Sequence, residues 1–349
     1  MELKTFRKIK PQAISLSRES LVRKEYLPGR GTLPLVLKPE VGDFDLSYWI
    51  NSNLNFLEGS LLQHGGILFR DFDLSQVAKF EQIARMFAPE LMGYLDQHTP
   101  RTKVTDSVYT STEYPADHTV PFHSENSKNH TWPMKIWFFC LQAAGRGGET
   151  PIADNRKVLA LLDPQIRERF TRKKVMYSRN FGEGVGLSWQ TAFQTSDKTV
   201  VEDYCRQYHM EFTWKDDNRL RLRHAAQAIA THPITGDAVW FNQAHLFHVS
   251  SLAPAVRESL QDLFPEDELP SNAYYGDGSK IEDSIIEEIR EAYSQAAVTF
   301  PWQAHDLLML DNMLVAHGRA PFAGTRKVVV AMAQPFSSQE SPGASPSLN

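Results

Sequence analysis

The sequence predicts a mainly β domain with helices packed around it, and three observations carry that expectation. β-Formers and turn residues dominate from about Lys103 to Cys140, and further strand-like runs follow. Helical periodicity gathers at the front of the chain, and further helical stretches interrupt the later strands. No regular strand–helix alternation is present, and neither Gly-x-Gly-x-x-Gly nor a P-loop sequence occurs, which argues against a nucleotide-binding parallel sheet.

Taken in order, residues 1 to about 40 mix charges with Pro28, Gly29, Gly31 and Pro34 and read as an irregular lead-in. From Asp45 to His64, Leu46, Trp49, Ile50, Leu54, Leu57 and Leu61 recur at helical spacing. Gly65-Gly66 ends that helix and Ile67-Leu68-Phe69-Arg70 reads as a short strand. A second amphipathic helix opens at a Ser75 cap and carries Val77, Phe80, Ile83 and Phe87. Lys135 to Cys140 is a near-continuous apolar run, the pattern of a buried strand. Asp163-Pro164 opens a helix toward Phe170, Glu202 to Met210 reads as another, and residues 211–242 form a hairpin around Pro233–Asp237. Ile281 to Ala296 is helical, and Leu307–Leu310 and Lys327–Ala331 are strands. The Ser-, Pro- and Gly-rich tail, 337–349, is expected to be disordered, leaving residues 1–336 as one domain with helical insertions.

Composition narrows the function. The 349 residues carry 37 basic and 42 acidic side chains, a net charge of −5, which disfavours nucleic acid as the main partner. Twenty Phe, 7 Trp and 11 Tyr supply ample apolar area for a core, excluding a wholly disordered chain. No run of apolar residues is long enough to span a membrane, and the N-terminal residues lack the apolar core of a signal peptide. The expected location is therefore the cytoplasm, with Cys140 and Cys205 as reduced, buried thiols.

Four stretches hold groups that could do chemistry. In Phe122-His123-Ser124-Glu125, residues two apart in extended backbone point to one side, so His123 and Glu125 converge. A third ligand would complete two histidines and a carboxylate on one face of a metal, although His-x-Glu alone also fits an exposed pair. The run from Leu307 through Asp311-Asn312 to His317-Gly318-Arg319 reads as two apolar strands about a turn. There His317 is either a ligand or a satisfied core histidine, and Gly318 permits close backbone approach. Arg326 stands before the strand at Lys327, and if buried it needs an anion such as a dicarboxylate. Gly147-Gly148-Glu149-Thr150 is a tight turn offering a hydroxyl. Trp240 to His248 mixes aromatics with Asn242, Gln243, His245 and His248, for which packing or pocket-lining roles are preferred.

Together these stretches, in this order and spacing, resemble the taurine dioxygenase superfamily of Fe(II)- and 2-oxoglutarate-dependent oxygenases over roughly residues 30 to 335. Within it they resemble clavaminate synthase-like members and the syringomycin-type hydroxylases of peptide biosynthesis. The resemblance implies a double-stranded β-helix, or jelly roll, with His123, Glu125 and His317 as iron ligands. It makes Thr150 and Arg326 the residues that grip the far carboxylate of 2-oxoglutarate, with Arg319 as a substitute. Two departures stand out. The carboxylate is Glu where Asp is commoner, as in the clavaminate-like branch, and Arg326 follows His317 more closely than its counterpart does in many relatives.

The activity so implied consumes 2-oxoglutarate and O2, releases succinate and CO2, and hydroxylates an unactivated C–H bond. Halogenating relatives lack the carboxylate ligand, which Glu125 supplies here. The implied substrate is an amino acid or a derivative of one, free or tethered to a peptidyl carrier domain, as in antibiotic biosynthesis. Arg179, Arg223 and Asn242 are candidates for its polar contacts. A sulfonate or other small organic acid, a zinc hydrolase on the same three ligands, and a non-catalytic metal-binding jelly roll are the alternatives.

Overall fold

Two strands occupy the lead-in that the sequence reads as irregular. β1 (Val22–Tyr26) and β2 (Leu35–Pro39) pair antiparallel, and β2 runs parallel to β3 (Gly66–Phe69). Leu35, Val36 and Leu37 are buried, so a short strand between two neighbours satisfies their backbone despite the flanking prolines and glycines. The structure is a computed structural model and describes residues 21–29, 31–42, 44–93, 102–111, 114–182 and 186–338. Most of the expected tail, 339–349, lies outside the described residues.

The first expected helix is two: α1 (Leu46–Ser52), capped by Asp45, and α2 (Leu54–His64), which ends at left-handed Gly65. Asn53 makes the break, its side-chain amide donating to the Trp49 carbonyl at 2.8 Å in competition with the helix backbone. α3 (Val77–Phe87) buries Phe80, Ile83 and Phe87, and its N-cap is Gln76 rather than Ser75.

The strands β4 (Tyr109–Thr110), β5 (Val120–His123), β6 (Thr131–Gln142), β7 (Arg146–Gly147) and β8 (Ile152–Asp154) come next. Helix α4 (Asn155–Leu161) leads to α5 (Pro164–Lys173), which Asp163 caps by accepting the Gln165 N–H at 2.7 Å. An outer section holds β9 (Val175–Phe181), α6 (Trp189–Phe193), α7 (Lys198–Gln207), β10 (Glu211–Trp214) and β11 (Leu220–Ala226). Helix α7 starts at Lys198 rather than Glu202 because the Asp197 carboxylate accepts the Thr199 N–H at 2.8 Å. The hairpin around residues 233–237 joins β12 (Ile229–Thr231) to β13 (Ala238–Trp240).

The chain then forms α8 (Ala244–Phe247), α9 (Pro254–Leu263), β14 (Ser271–Tyr275) and α10 (Asp283–Ala296). It closes with β15 (Ala297–Val298), β16 (Leu307–Asp311), β17 (Val315–Arg319), β18 (Phe322–Ala323) and β19 (Lys327–Ser337).

The larger sheet has the order β1-β2-β3-β16-β6-β19-β4 and the smaller one β15-β8-β17-β5. Between them, Ile136, Phe138, Leu308, Leu310 and Val330 meet Ile152 and Val315. The alternate residues of the larger sheet, Trp137 and Phe139 among them, pack instead against Leu57, Phe80 and Ile83 of the leading helices. Strand β6 is thus buried on both faces, which explains its unbroken apolar run. Two facing sheets of this kind, antiparallel except for the β2–β3 pair, make a jelly roll with helices outside, the fold class expected. A further sheet, β10-β11-β9-β14, stands beside it. Cys140 and Cys205 are free and buried, and burial pushes the Cys140 thiol up to about 12. Among the described residues no helix is long and apolar enough to cross a membrane.

Candidate active site

Strands β5 and β17 bring the two candidate histidines face to face. His123 and His317 are register partners, and their ring centroids lie 4.5 Å apart. His123 Nδ1 hydrogen-bonds the Pro121 carbonyl at 2.9 Å, which places the proton on Nδ1 and the lone pair on Nε2. Close approach of the strands is possible because residue 318 is glycine: a Cβ there would lie 2.7 Å from the Val120 carbonyl oxygen. His245 braces β5 from behind, its Nε2 2.7 Å from the Phe122 carbonyl, and burial pulls its imidazole down to about 4. His248 is likewise engaged by Ser250 and the Ile281 carbonyl, so both histidines of that stretch pack rather than bind a second metal.

Glu125 reaches the same point by another route than strand alternation. β5 ends at His123, and Glu125 sits in a turn closed by Ser127 N–H to Ser124 O at 3.2 Å, with Asn126 in the left-handed region at φ 57°. The donor atoms of His123, Glu125 and His317 all lie within 4.8 Å of one another. Donors sharing one ion at roughly 2.1 Å each stand about 3–4 Å apart, so small side-chain adjustments close this set on a metal.

Thr150, Ser111, Arg319 and Arg326 line the pocket that His123 and His317 enter, a space of ≈ 360 Å³ including its open mouth. Arg326 donates from Nε to the Gly148 carbonyl at 2.7 Å, to Ser111 Oγ at 3.1 Å and to Thr150 Oγ1 at 3.3 Å. It forms no ion pair with a carboxylate among the described residues, and burial, helped by the charge of Arg319, pulls its guanidinium down to about 10. Of its five N–H donors three are used, leaving two for an anion. Thr150 is buried and its oxygen also accepts from Trp302 Nε1 at 3.1 Å, so its own hydroxyl hydrogen is left to donate.

Arg319 is committed elsewhere, donating to the carbonyls of Tyr114 at 2.9 Å, Pro115 at 2.6 Å and His118 at 2.9 Å. Asn242 is spent on backbone, donating to Ala228 O at 2.8 Å and accepting from Ala244 N–H at 2.9 Å, which removes it as a substrate contact. Arg179, on β9, lines a separate cavity with Lys128 and Tyr177, its guanidinium 4.3 Å from the Phe181 ring centroid. Arg223 lies on β11, where it pairs in register with Ser178. Sequence reasoning missed Ser111 and Trp302, which carry no local motif, and gave Asn312 no role of its own.

Two histidines and one carboxylate converging beside open space form the donor set of non-haem Fe(II) oxygenases. The chain belongs to the taurine catabolism dioxygenase TauD, TfdA family, which it matches over residues 28–332, and it is an oxygenase of that family. It is 44% identical over 286 residues to the dapdiamide synthesis protein DdaC of Enterobacter agglomerans, covering 81% of this chain and 87% of that protein. A clavaminate synthase-like protein of Arabidopsis thaliana is 27% identical over 294 residues, 81% of this chain and 86% of the other. PvcB of Pseudomonas aeruginosa shares the fold, with a TM-score of 0.55 at 17% identity over 93% of this chain and 94% of that one.

Proposed function

We propose that the protein is an Fe(II)- and 2-oxoglutarate-dependent oxygenase that hydroxylates an unactivated C–H bond of an amino-acid-derived substrate, with residues 1–336 as one dioxygenase domain. The observation that carries the reading is the meeting of His123, Glu125 and His317 within 4.8 Å beside a pocket that also holds a half-buried arginine without a carboxylate partner among the described residues. His123, Glu125 and His317 would hold the metal, which supplies O2 activation coupled to oxidative decarboxylation of 2-oxoglutarate to succinate and CO2.

The chain's own residues orient and shield that chemistry. Arg326 would take the far carboxylate of 2-oxoglutarate through its two remaining N–H groups, with Thr150 adding a hydroxyl donor. Arg319 holds the segment Tyr114–His118 against the pocket. Phe138, 4.8 Å from the His317 ring centroid, presents an apolar wall that keeps water from the donors. Glu125 would give the metal a carboxylate ligand, which favours hydroxylation over halogenation; a chlorinated product formed with chloride present would overturn this.

The likeness to DdaC, named for dapdiamide synthesis, supports an amino-acid-derived substrate and a role in specialised-metabolite biosynthesis. Delivery on a peptidyl carrier domain is part of the same reading. The test is aerobic incubation with Fe(II), 2-oxoglutarate and a panel of amino acids and carrier-bound aminoacyl thioesters, following succinate and a gain of one oxygen atom by mass spectrometry. Substrate-stimulated succinate that His123→Ala abolishes supports the reading. No binding of Fe(II) and no succinate with any substrate refutes it.

A further inference from the structure

Strand geometry accounts for His123 and His317, but Glu125 lies beyond β5 in a turn, where alternation no longer decides where a side chain points. Something else must fix it. The backbone of Glu125 is gripped on both its polar groups by one side chain from a distant part of the chain. Asn312 Oδ1 accepts the Glu125 N–H at 2.7 Å, and Asn312 Nδ2 donates to the Glu125 carbonyl at 2.9 Å. The second Nδ2 hydrogen goes to Pro133 O at 2.9 Å. Only one orientation of the amide satisfies these contacts, since an N–H must meet oxygen and two carbonyls must meet the NH2.

The amide therefore does for Glu125 what a neighbouring strand does for a strand residue, exchanging a donor and an acceptor with its backbone. It is fully buried, and its own N–H donates to Met134 O at 2.9 Å. The turn that aims it is fixed in turn. Asp311 Oδ1 accepts the N–H groups of Met313 at 3.0 Å and Leu314 at 2.9 Å. The other carboxylate oxygen lies 3.1 Å from His232 Nε2. His232 Nδ1 accepts from Ile234 and Thr235 N–H, which leaves the proton on Nε2, directed at Asp311. Both side chains are buried. The same turn opens into β17, which carries His317.

We infer that Asn312 is a positioning residue for the metal: it locks the Glu125 backbone to the turn that joins β16 to β17 and so leads to His317, with Asp311 and His232 bracing that turn. This rests on the iron-site reading above. The carboxylate donor lies beyond the strand, so this clamp sets its angle to the two imidazoles, and loss of the clamp frees the Glu125 turn while β5 and β17 stay paired.

The test is anaerobic titration of the apo-protein with Fe(II), and with Co(II) as a spectroscopic probe, for the unaltered chain, Asn312→Ala and Asn312→Ser. Val201→Ala, in the distant packing around α7, controls for a general loss of stability. The expected result is a metal dissociation constant raised at least about tenfold in both Asn312 variants and unchanged in the control, with an altered Co(II) spectrum. Folded Asn312 variants that bind as tightly as the unaltered chain overturn the inference alone. Failure of the unaltered chain to bind either metal overturns the iron-site reading instead. A measurement on the unaltered apo-protein covers the case in which both variants fail to fold. The Glu125 amide should exchange with solvent far more slowly than its turn neighbour Asn126, and equal rates would overturn the clamp.

Discussion

Replacing Arg326 with Ala tests the co-substrate grip most directly. The guanidinium sits in the pocket with three N–H groups on Gly148 O, Ser111 Oγ and Thr150 Oγ1 and two left over. A dicarboxylate entering beside the histidines would meet those two as a charge-assisted, two-point contact. Hydrogen bonds to charged groups contribute about 1.5–3 kcal/mol, so their loss should weaken 2-oxoglutarate by roughly 10- to 150-fold. Stability of the empty protein should move much less. Removing the arginine deprives Gly148, Ser111 and Thr150 of a donor but also removes a half-buried charge that no carboxylate offsets among the described residues, and the two effects oppose. Arg326→Lys should fall between, because an ammonium keeps the charge without the fork. Calorimetric titration of the Mn(II)-loaded protein with 2-oxoglutarate measures all three. The reasoning fails if Arg326→Ala binds within about threefold of the unaltered chain while Arg319→Ala loses affinity, which would give the grip to the arginine that holds Tyr114–His118.

Two further perturbations follow from the same packing. Gly318→Ala should destabilise the protein by about 1–3 kcal/mol and weaken metal binding, because the new methyl pushes β5, and with it His123, off β17; denaturant unfolding and metal titration check both. His245 is held neutral by burial, with its imidazole at about 4 against 6.5 for a solvated histidine. The unfolded chain takes up that proton first as pH falls, so stability is full above about pH 6.5 and declines toward pH 4, by on the order of 3 kcal/mol. Replacing His245 with Gln should flatten that part of the pH–stability curve, and an unchanged slope would show that other groups set it.

The nine residues from Asp311 to Arg319 show why some of this was legible in the sequence. Turn, strand, ligand and close-approach glycine lie next to one another there, so spacing alone conveys their arrangement. His123 and Glu125 were legible as a pair, but the reason given for their convergence was incomplete. Alternation holds only to His123, and the contact that turns Glu125 inward comes from Asn312, 187 residues away. Ser111 and Trp302 were invisible for the same reason, since each acts by a single hydrogen bond across the fold. The strands at Val22–Tyr26 and Leu35–Pro39 were hidden by their brevity among prolines and glycines. Pairing with β1 on one side and β3 on the other makes a strand of Leu35-Val36-Leu37.

Each donor is held by protein contacts of its own, and that has a measurable consequence. His123 and His317 are fixed by strand pairing, Glu125 by the Asn312 amide, and β5 by His245 behind it. A site built this way should persist without metal, unlike small domains whose folding is driven by the ion. Chelation should therefore leave the secondary structure and the cooperative transition intact. The unfolding free energy should fall only by the mass-action contribution of binding, about 2.7 kcal/mol at a metal concentration of 100 times its dissociation constant, and the melting temperature with it. Circular dichroism and calorimetry before and after chelation provide the comparison. Loss of cooperative unfolding in the metal-free protein would show that the ion organises the strands, and the strand pairing and amide clamp would then be consequences of metal binding.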